Sequence, residues 1–162
     1  MVTNMKKNIF IFILILSLIF ITGCGDKSRT LECDKEIKDE SGFKIEEKYS
    51  YEFKGNKLVE FSVDKKVVPN KKELNEFLSL FSANVDKKFE DFKGKKGIDY
   101  TSDIKDYVYT LRISVNYKNI DANEFSNVND TIKDIVSKKD QKVSLKQTKD
   151  EMEKDNYTCK EK

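Results

Sequence analysis

The chain has no histidine and no tryptophan, and only one proline and six glycines among its 162 residues. Without histidine there is no Ser-His or Cys-His nucleophilic pair, no ordinary neutral-pH general base and no imidazole ligand for a metal. This argues against an ordinary hydrolase. The few glycines fall in the amino-terminal segment or at turns, and none forms a loop that would cradle a phosphate. The three cysteines include no C-x-x-C pair, so redox chemistry is not indicated. Acidic residues are plentiful, but they alternate along strand-like segments or sit at helix starts, where solvation accounts for them better than a glycosidic acid pair held across a cleft. Asn127, Asn129 and Asp130 show part of a calcium-loop pattern without its glycine or its terminal glutamate, and read instead as helix-surface residues. No metal or cofactor is expected, and the chain is read as a non-enzyme.

No apolar run reaches the roughly 20 residues that a membrane-spanning helix needs. The longest, residues 9–21, is thirteen residues broken only by Ser17; Lys6 and Lys7 precede it and Thr22-Gly23-Cys24 follows. A basic start, a short apolar core and small residues before a cysteine read as a bacterial lipoprotein export signal. The expected cut lies between Gly23 and Cys24, with a diacylglyceryl group on the Cys24 thiol. Two acyl chains are about what stable anchoring requires. Residues 1–23 are thus expected to be a signal peptide and residues 24–28 the lipidated cysteine with a short tether. The remainder, residues 29–162, is expected to form a single domain on the extracytoplasmic face of the cell membrane.

Taking 23 residues from 162 leaves 139, enough for one modest domain and too few for two. Of 31 basic residues, Lys6 and Lys7 precede the cut, so the remainder balances the 29 acidic ones. A neutral chain whose lysines alternate with Glu and Asp lacks the one-signed field that nucleic-acid or anionic-surface binding uses. These charges read as a solvated surface.

Residues 43–53 place Phe43, Ile45, Tyr49, Tyr51 and Phe53 on alternate positions, a half-buried strand. Lys54-Gly55-Asn56-Lys57 then reads as a hairpin turn, and Val59, Phe61 and Val63 as the inward face of the return strand. Residues 29–37 add a further strand carrying Cys33. After Pro69, Asn70 with Glu73 has the form of a capping pair. It precedes a helical stripe of Leu74, Phe77, Leu78, Phe81, Val85, Phe89 and Phe92, ended by Gly94, that is expected to pack on the sheet. Ile98 and Tyr100 open a second strand pair. Its return strand alternates Tyr107, Tyr109, Leu111, Ile113, Val115 and Tyr117, and is expected at the centre of the sheet. Asp121 with Glu124 then starts a second helix through Val136, Ser144 with Gln147 starts a third, and residues 157–159 form a terminal edge strand. Strand, strand, helix thus occurs twice, a possible structural pseudo-repeat without residue identity. The expected class is α+β: an antiparallel sheet with one long amphipathic helix and two shorter helices packed on it.

Lipidation of Cys24 leaves Cys33 and Cys159, which are either two free thiols or a disulfide joining the ends of the domain. Tyr49, Tyr51, Tyr107, Tyr109 and Tyr117 share strand faces with aliphatic residues. They either line a groove for an apolar or sugar-like ligand or pack in the core beneath the long helix.

Together the Ile21-Thr22-Gly23-Cys24 segment, Thr30-Leu31-Glu32-Cys33, the hairpin Tyr51-Glu52-Phe53-Lys54-Gly55-Asn56-Lys57-Leu58, the Asp121-centred helix start and Tyr157-Thr158-Cys159-Lys160 resemble the YehR-like small bacterial lipoproteins. That group is a domain of unknown function. The resemblance implies an α+β surface lipoprotein and brings no catalytic residues. The expected role is a binding or interaction module at the envelope. A ligand carrier or small enzyme using the tyrosines, or an inhibitory, immunity-like protein, are the alternatives.

Overall fold

The computed structural model describes residues 27–162 apart from Asp39, Ser41 and Gln141. The export-signal reading, with Gly23 and Cys24, falls outside the described residues. Six strands form one antiparallel sheet: β1 (Ser28–Lys38), β2 (Phe43–Lys54), β3 (Lys57–Pro69), β4 (Ile98–Lys105), β5 (Val108–Asn116) and β6 (Thr158–Glu161). Their order across the sheet is β4-β5-β3-β2-β1-β6. Among the described residues three α-helices, α1 (Asn75–Lys88), α2 (Asp130–Ser137) and α3 (Leu145–Lys154), complete an α+β fold.

The period-two pattern of the sequence becomes one apolar face. Cys33 lies opposite Tyr49, Tyr49 opposite Val63, Val63 opposite Ile113 and Ile113 opposite Tyr100. Directly opposed residues project to the same side, so one row of cross-strand neighbours builds core across five strands. The β2–β3 turn has Gly55 at φ +60°, the left-handed conformation that glycine adopts without a Cβ penalty. A bulge at Glu52/Phe53 then brings Phe53 opposite Leu58, and both are buried.

Helix α1 packs Leu78, Phe81 and Val85 against the sheet, joined by Phe89 just past its end, with the Phe81 ring edge-on to Tyr109 at 5.4 Å. Two expectations about it are corrected. Phe77 lies on the flank of that stripe, about a quarter turn from its centre, and is 55% exposed. Asn70 does not cap the helix: its N–H donates to the Gly42 carbonyl at 2.8 Å, extending the β2–β3 pairing, and a 3₁₀ turn at Lys72–Leu74 leads in without a side-chain cap.

The helix expected to start at Asp121 is two pieces. The Asp121 carboxylate accepts from the Asn123 N–H at 3.0 Å and opens a 3₁₀ turn, Ala122–Phe125. Asn129, with extended backbone, then starts α2 by accepting from the Ile132 N–H at 3.2 Å. A second capping side chain thus restarts the helix. Helix α3 begins as its sequence indicates, with Ser144 Oγ accepting from the Gln147 N–H at 3.1 Å.

Strand β5 lies second from one edge, not at the centre. Its partners are β4 and β3, so the two hairpins join through their second strands, and β1 and β6 extend the sheet beyond β2. The order β4-β5-β3-β2 reads alike outward from the β5/β3 seam, the arrangement of a two-fold pseudo-repeat. Tyr107 also leaves the expected strand. Asp106 and Tyr107, at φ +51° and +60°, form the two-residue β4–β5 turn, and Tyr107 is 64% exposed.

Candidate functional site

On the covered face the helices close over the tyrosines. Tyr51, Tyr109 and Tyr117 are buried and Tyr49 is half-buried. Tyr51 donates to Met152 Sδ of α3 at 3.4 Å and Tyr117 to the Ile135 carbonyl of α2 at 3.0 Å. Burial pushes all four phenols up from their ordinary range. The five tyrosines do not line a common groove: Tyr51, Tyr109 and Tyr117 lie beneath helices, Tyr49 packs against the Tyr51, Phe61 and Tyr157 rings, and Tyr107 is at a hairpin tip. The Tyr109 hydroxyl has no hydrogen-bond partner among the described residues.

Two polar contacts fix this side. Asp86 of α1 accepts from the Tyr100 hydroxyl at 2.5 Å and from Ser102 Oγ at 2.6 Å, tying helix to edge strand. Desolvation, and then the Asp86 carboxylate it serves as donor, push the Tyr100 phenol up to about 12. At the other side Glu47 pairs with Lys65 at 2.7 Å and accepts from the Tyr157 hydroxyl at 2.5 Å. Lys35 Nζ lies 4.9 Å from the centre of the Tyr157 ring. Burial alone would raise the Glu47 carboxyl; Lys65 and Tyr157 outweigh it and hold the group below its usual range. These groups pair with one another inside the fold, which makes them structural.

Cys33 and Cys159 are joined as a disulfide, 126 residues apart in sequence and directly opposite in the β1–β6 register. Of the two alternatives for these thiols, the bridge is the one formed.

The opposite face of the sheet is open. All three helices contact the apolar side, so the alternate residues of the strands are left to solvent. One cross-strand row runs Thr158, Asp34, Lys48, Asp64, Arg112, Thr101, spanning all six strands with charges alternating in sign. The next row, along β1, β2, β3 and β5, is Glu36, Glu46, Lys66 and Thr110. A groove of about 600 Å³ lies along these two rows. At the 4.7–4.9 Å strand spacing, six strands make a track of roughly 24 Å.

The charges of the groove are loosely held. Arg112 is 3.8 Å from Asp64 and Lys66 is 3.8 Å from Glu46, whereas Lys44 bridges Glu36 and Glu46 at 3.0 and 2.8 Å. Lys162, with Lys48, lowers the Glu32 carboxyl at the margin. Exposed pairs of this kind contribute about 0–1 kcal/mol each, so the fold does not depend on them and they are free to exchange partners. The sequence reading named none of these residues as a site. Their signal is the polar half of the same alternation that identifies the core, a pattern that an ordinary solvated surface shares.

A single antiparallel sheet, covered by helices on one face and bare and charged on the other, is the class of protein these features define. Among solved structures the chain is similar to a protein from Streptococcus pneumoniae TIGR4 determined by NMR, with 13% identity, 86% of this chain and 90% of that chain covered, and a TM-score of 0.56. It is also similar to the NMR structure of the E. coli YehR protein, with 15% identity, 83% and 92% covered, and a TM-score of 0.48. At 13% identity the likeness to the first is one of fold. No protein-family model and no curated protein matches the chain. Among the described residues no helix is long and apolar enough to cross a membrane.

Proposed function

We propose that this protein is a lipid-anchored, extracytoplasmic interaction module, without enzymatic activity, that engages a polar envelope partner through the open face of its sheet. The observation that carries this reading is the groove along the rows of Asp34, Lys48, Asp64 and Arg112. A cavity of this size falls in the range of ligand sites, but apolar contacts dominate most small-molecule pockets. Here the lining residues are mostly charged, with three threonines, and their side-chain stems supply the apolar part of the surface. That chemistry favours a partner surface or extended polar segment presenting both charge signs. The anchor is supported by the Lys6-Lys7, apolar, Gly23-Cys24 pattern, and an oxidising compartment by the Cys33–Cys159 bridge.

A photo-crosslinking residue at Thr110, within the groove, tests the face in living cells. The expected result is a discrete adduct that disappears with Arg112→Glu. Adducts from Ala83 on the outer side of α1, with none from Thr110, would move the interaction to the helical side and overturn the assignment.

A further inference from the structure

The strand directions give the domain two unlike ends. At one end lie the start of β1, the β2–β3 turn, the start of β4, the residues after β5 and the end of β6. Thr30 and Lys162 exchange backbone hydrogen bonds there, at 3.2 and 2.8 Å, and Tyr117 N–H donates to the Val59 carbonyl at 3.1 Å, so these segments are neighbours. This end carries Lys27, Lys54, Lys57, Lys96 and Lys118, all exposed, and none forms an ion pair with a described residue. The nearby acids are engaged: Glu161 with Arg29, Glu124 with Lys95, and Asp121 with a backbone N–H. Glu52, Glu60 and Asp99 also lie at this end, on the open side of the sheet and two or three residues from Lys54, Lys57 and Lys96; they offset part of the positive charge, and the basic excess sits at the tip. The other end, some 35 Å away along strands of eleven to thirteen residues, is mixed, with Glu40, Glu73 and Asp106 among Lys38, Lys71, Lys72 and Lys105.

The chain enters the fold at the basic end. Cys24 precedes Lys27 by three residues, a reach of roughly 10 Å when extended, comparable with the Debye length of about 8–10 Å at ordinary salt. We infer that this lysine-bearing end lies on the anionic headgroups of the membrane, so that the lipid and the five lysines together hold the strands upright and present the open face sideways. The inference rests on the lipid anchor proposed above for its geometry. Neutrality of the whole domain does not oppose it, because attraction at a surface depends on the charges within a Debye length of it.

The test uses the polypeptide from residue 24 onward, which contains every described strand and helix, with Cys24→Ser so that no lipid is attached. Its sedimentation is measured with vesicles of phosphatidylcholine alone and of phosphatidylcholine with equal phosphatidylglycerol. The expected result is binding to the anionic vesicles only, reversed by 0.5 M salt. The variant K54E/K57E/K96E/K118E should bind at least tenfold more weakly, while K38E/K71E/K72E/K105E, equal in charge change at the far end, should bind as the parent does. No binding to anionic vesicles, or equal losses in the two variants, overturns the oriented docking. Because no lipid is attached, those outcomes are independent of whether Cys24 is acylated in cells, which fractionation of the native protein reads separately.

Discussion

Glu47 is the most consequential charged side chain inside the fold. Only 9% of its side chain is exposed, and it serves both Lys65 and Tyr157. Replacing it with Gln should cost about 1–3 kcal/mol, because two partners lose a charged acceptor in a desolvated site. The sign of its pH dependence follows from a carboxyl held below its usual value in the folded state. Its stabilisation is complete above the unfolded-state pKa and is lost as pH falls from there through the lower folded-state pKa. Urea unfolding at pH 7 and pH 3.5 should show a smaller acid loss in Glu47→Gln than in the parent. Tyr109 offers the opposite case, a buried hydroxyl with no partner among the described residues. Tyr109→Phe should leave stability unchanged or raise it by roughly 1 kcal/mol, read from the same urea curves. Neither role was legible in the sequence. Period two placed Tyr109 correctly on the inward face, but whether its hydroxyl finds a partner depends on the helix above it.

Among the elements, strands were more legible than helices, for a physical reason. Alternation along residues 43–63 and 108–116 reports burial of one sheet face and nothing else, so it survives without knowledge of neighbours. Helix starts depend on which of several capping side chains the tertiary fold selects. Asn70 lost that competition to the β2–β3 pairing, and Asn129 won it within the helix expected from Asp121. The Asp106-Tyr107 turn was missed because it lacks the glycine that normally accepts positive φ. Strand β6 is the element most dependent on covalent help, having four residues at an edge. Loop entropy over 126 residues gives the Cys33–Cys159 bridge about 4–5 kcal/mol. The pair Cys33→Ala and Cys159→Ala should therefore lower the denaturant midpoint substantially. It should also speed hydrogen exchange first at residues 158–161, and equal protection there in the variant and the parent would show that β6 docks without the bridge.

At the scale of the whole molecule, the same alternation that built the core left six strands with an uncovered charged side. Its function was not legible because exposed alternating charge is also what an ordinary solvated face requires. Only the strand order shows that Thr158, Asp34, Lys48, Asp64, Arg112 and Thr101 align in one row. Charge reversal at Lys48 and Arg112 together should leave the unfolding free energy within about 1 kcal/mol of the parent while abolishing the Thr110 crosslink. A large loss of stability would make the row a structural ladder instead. The asymmetry of the two ends, basic where the chain enters and mixed at the far end, gives this surface a defined orientation once the amino terminus is anchored.

That anchoring is most directly tested by the intact mass and amino-terminal sequence of the protein recovered from its own cells. A membrane-bound product beginning at Cys24 and heavier by a diacylglyceryl group is the predicted result. A soluble cytoplasmic product beginning at Met1 or Met5, with an unmodified Cys24 thiol, would contradict it.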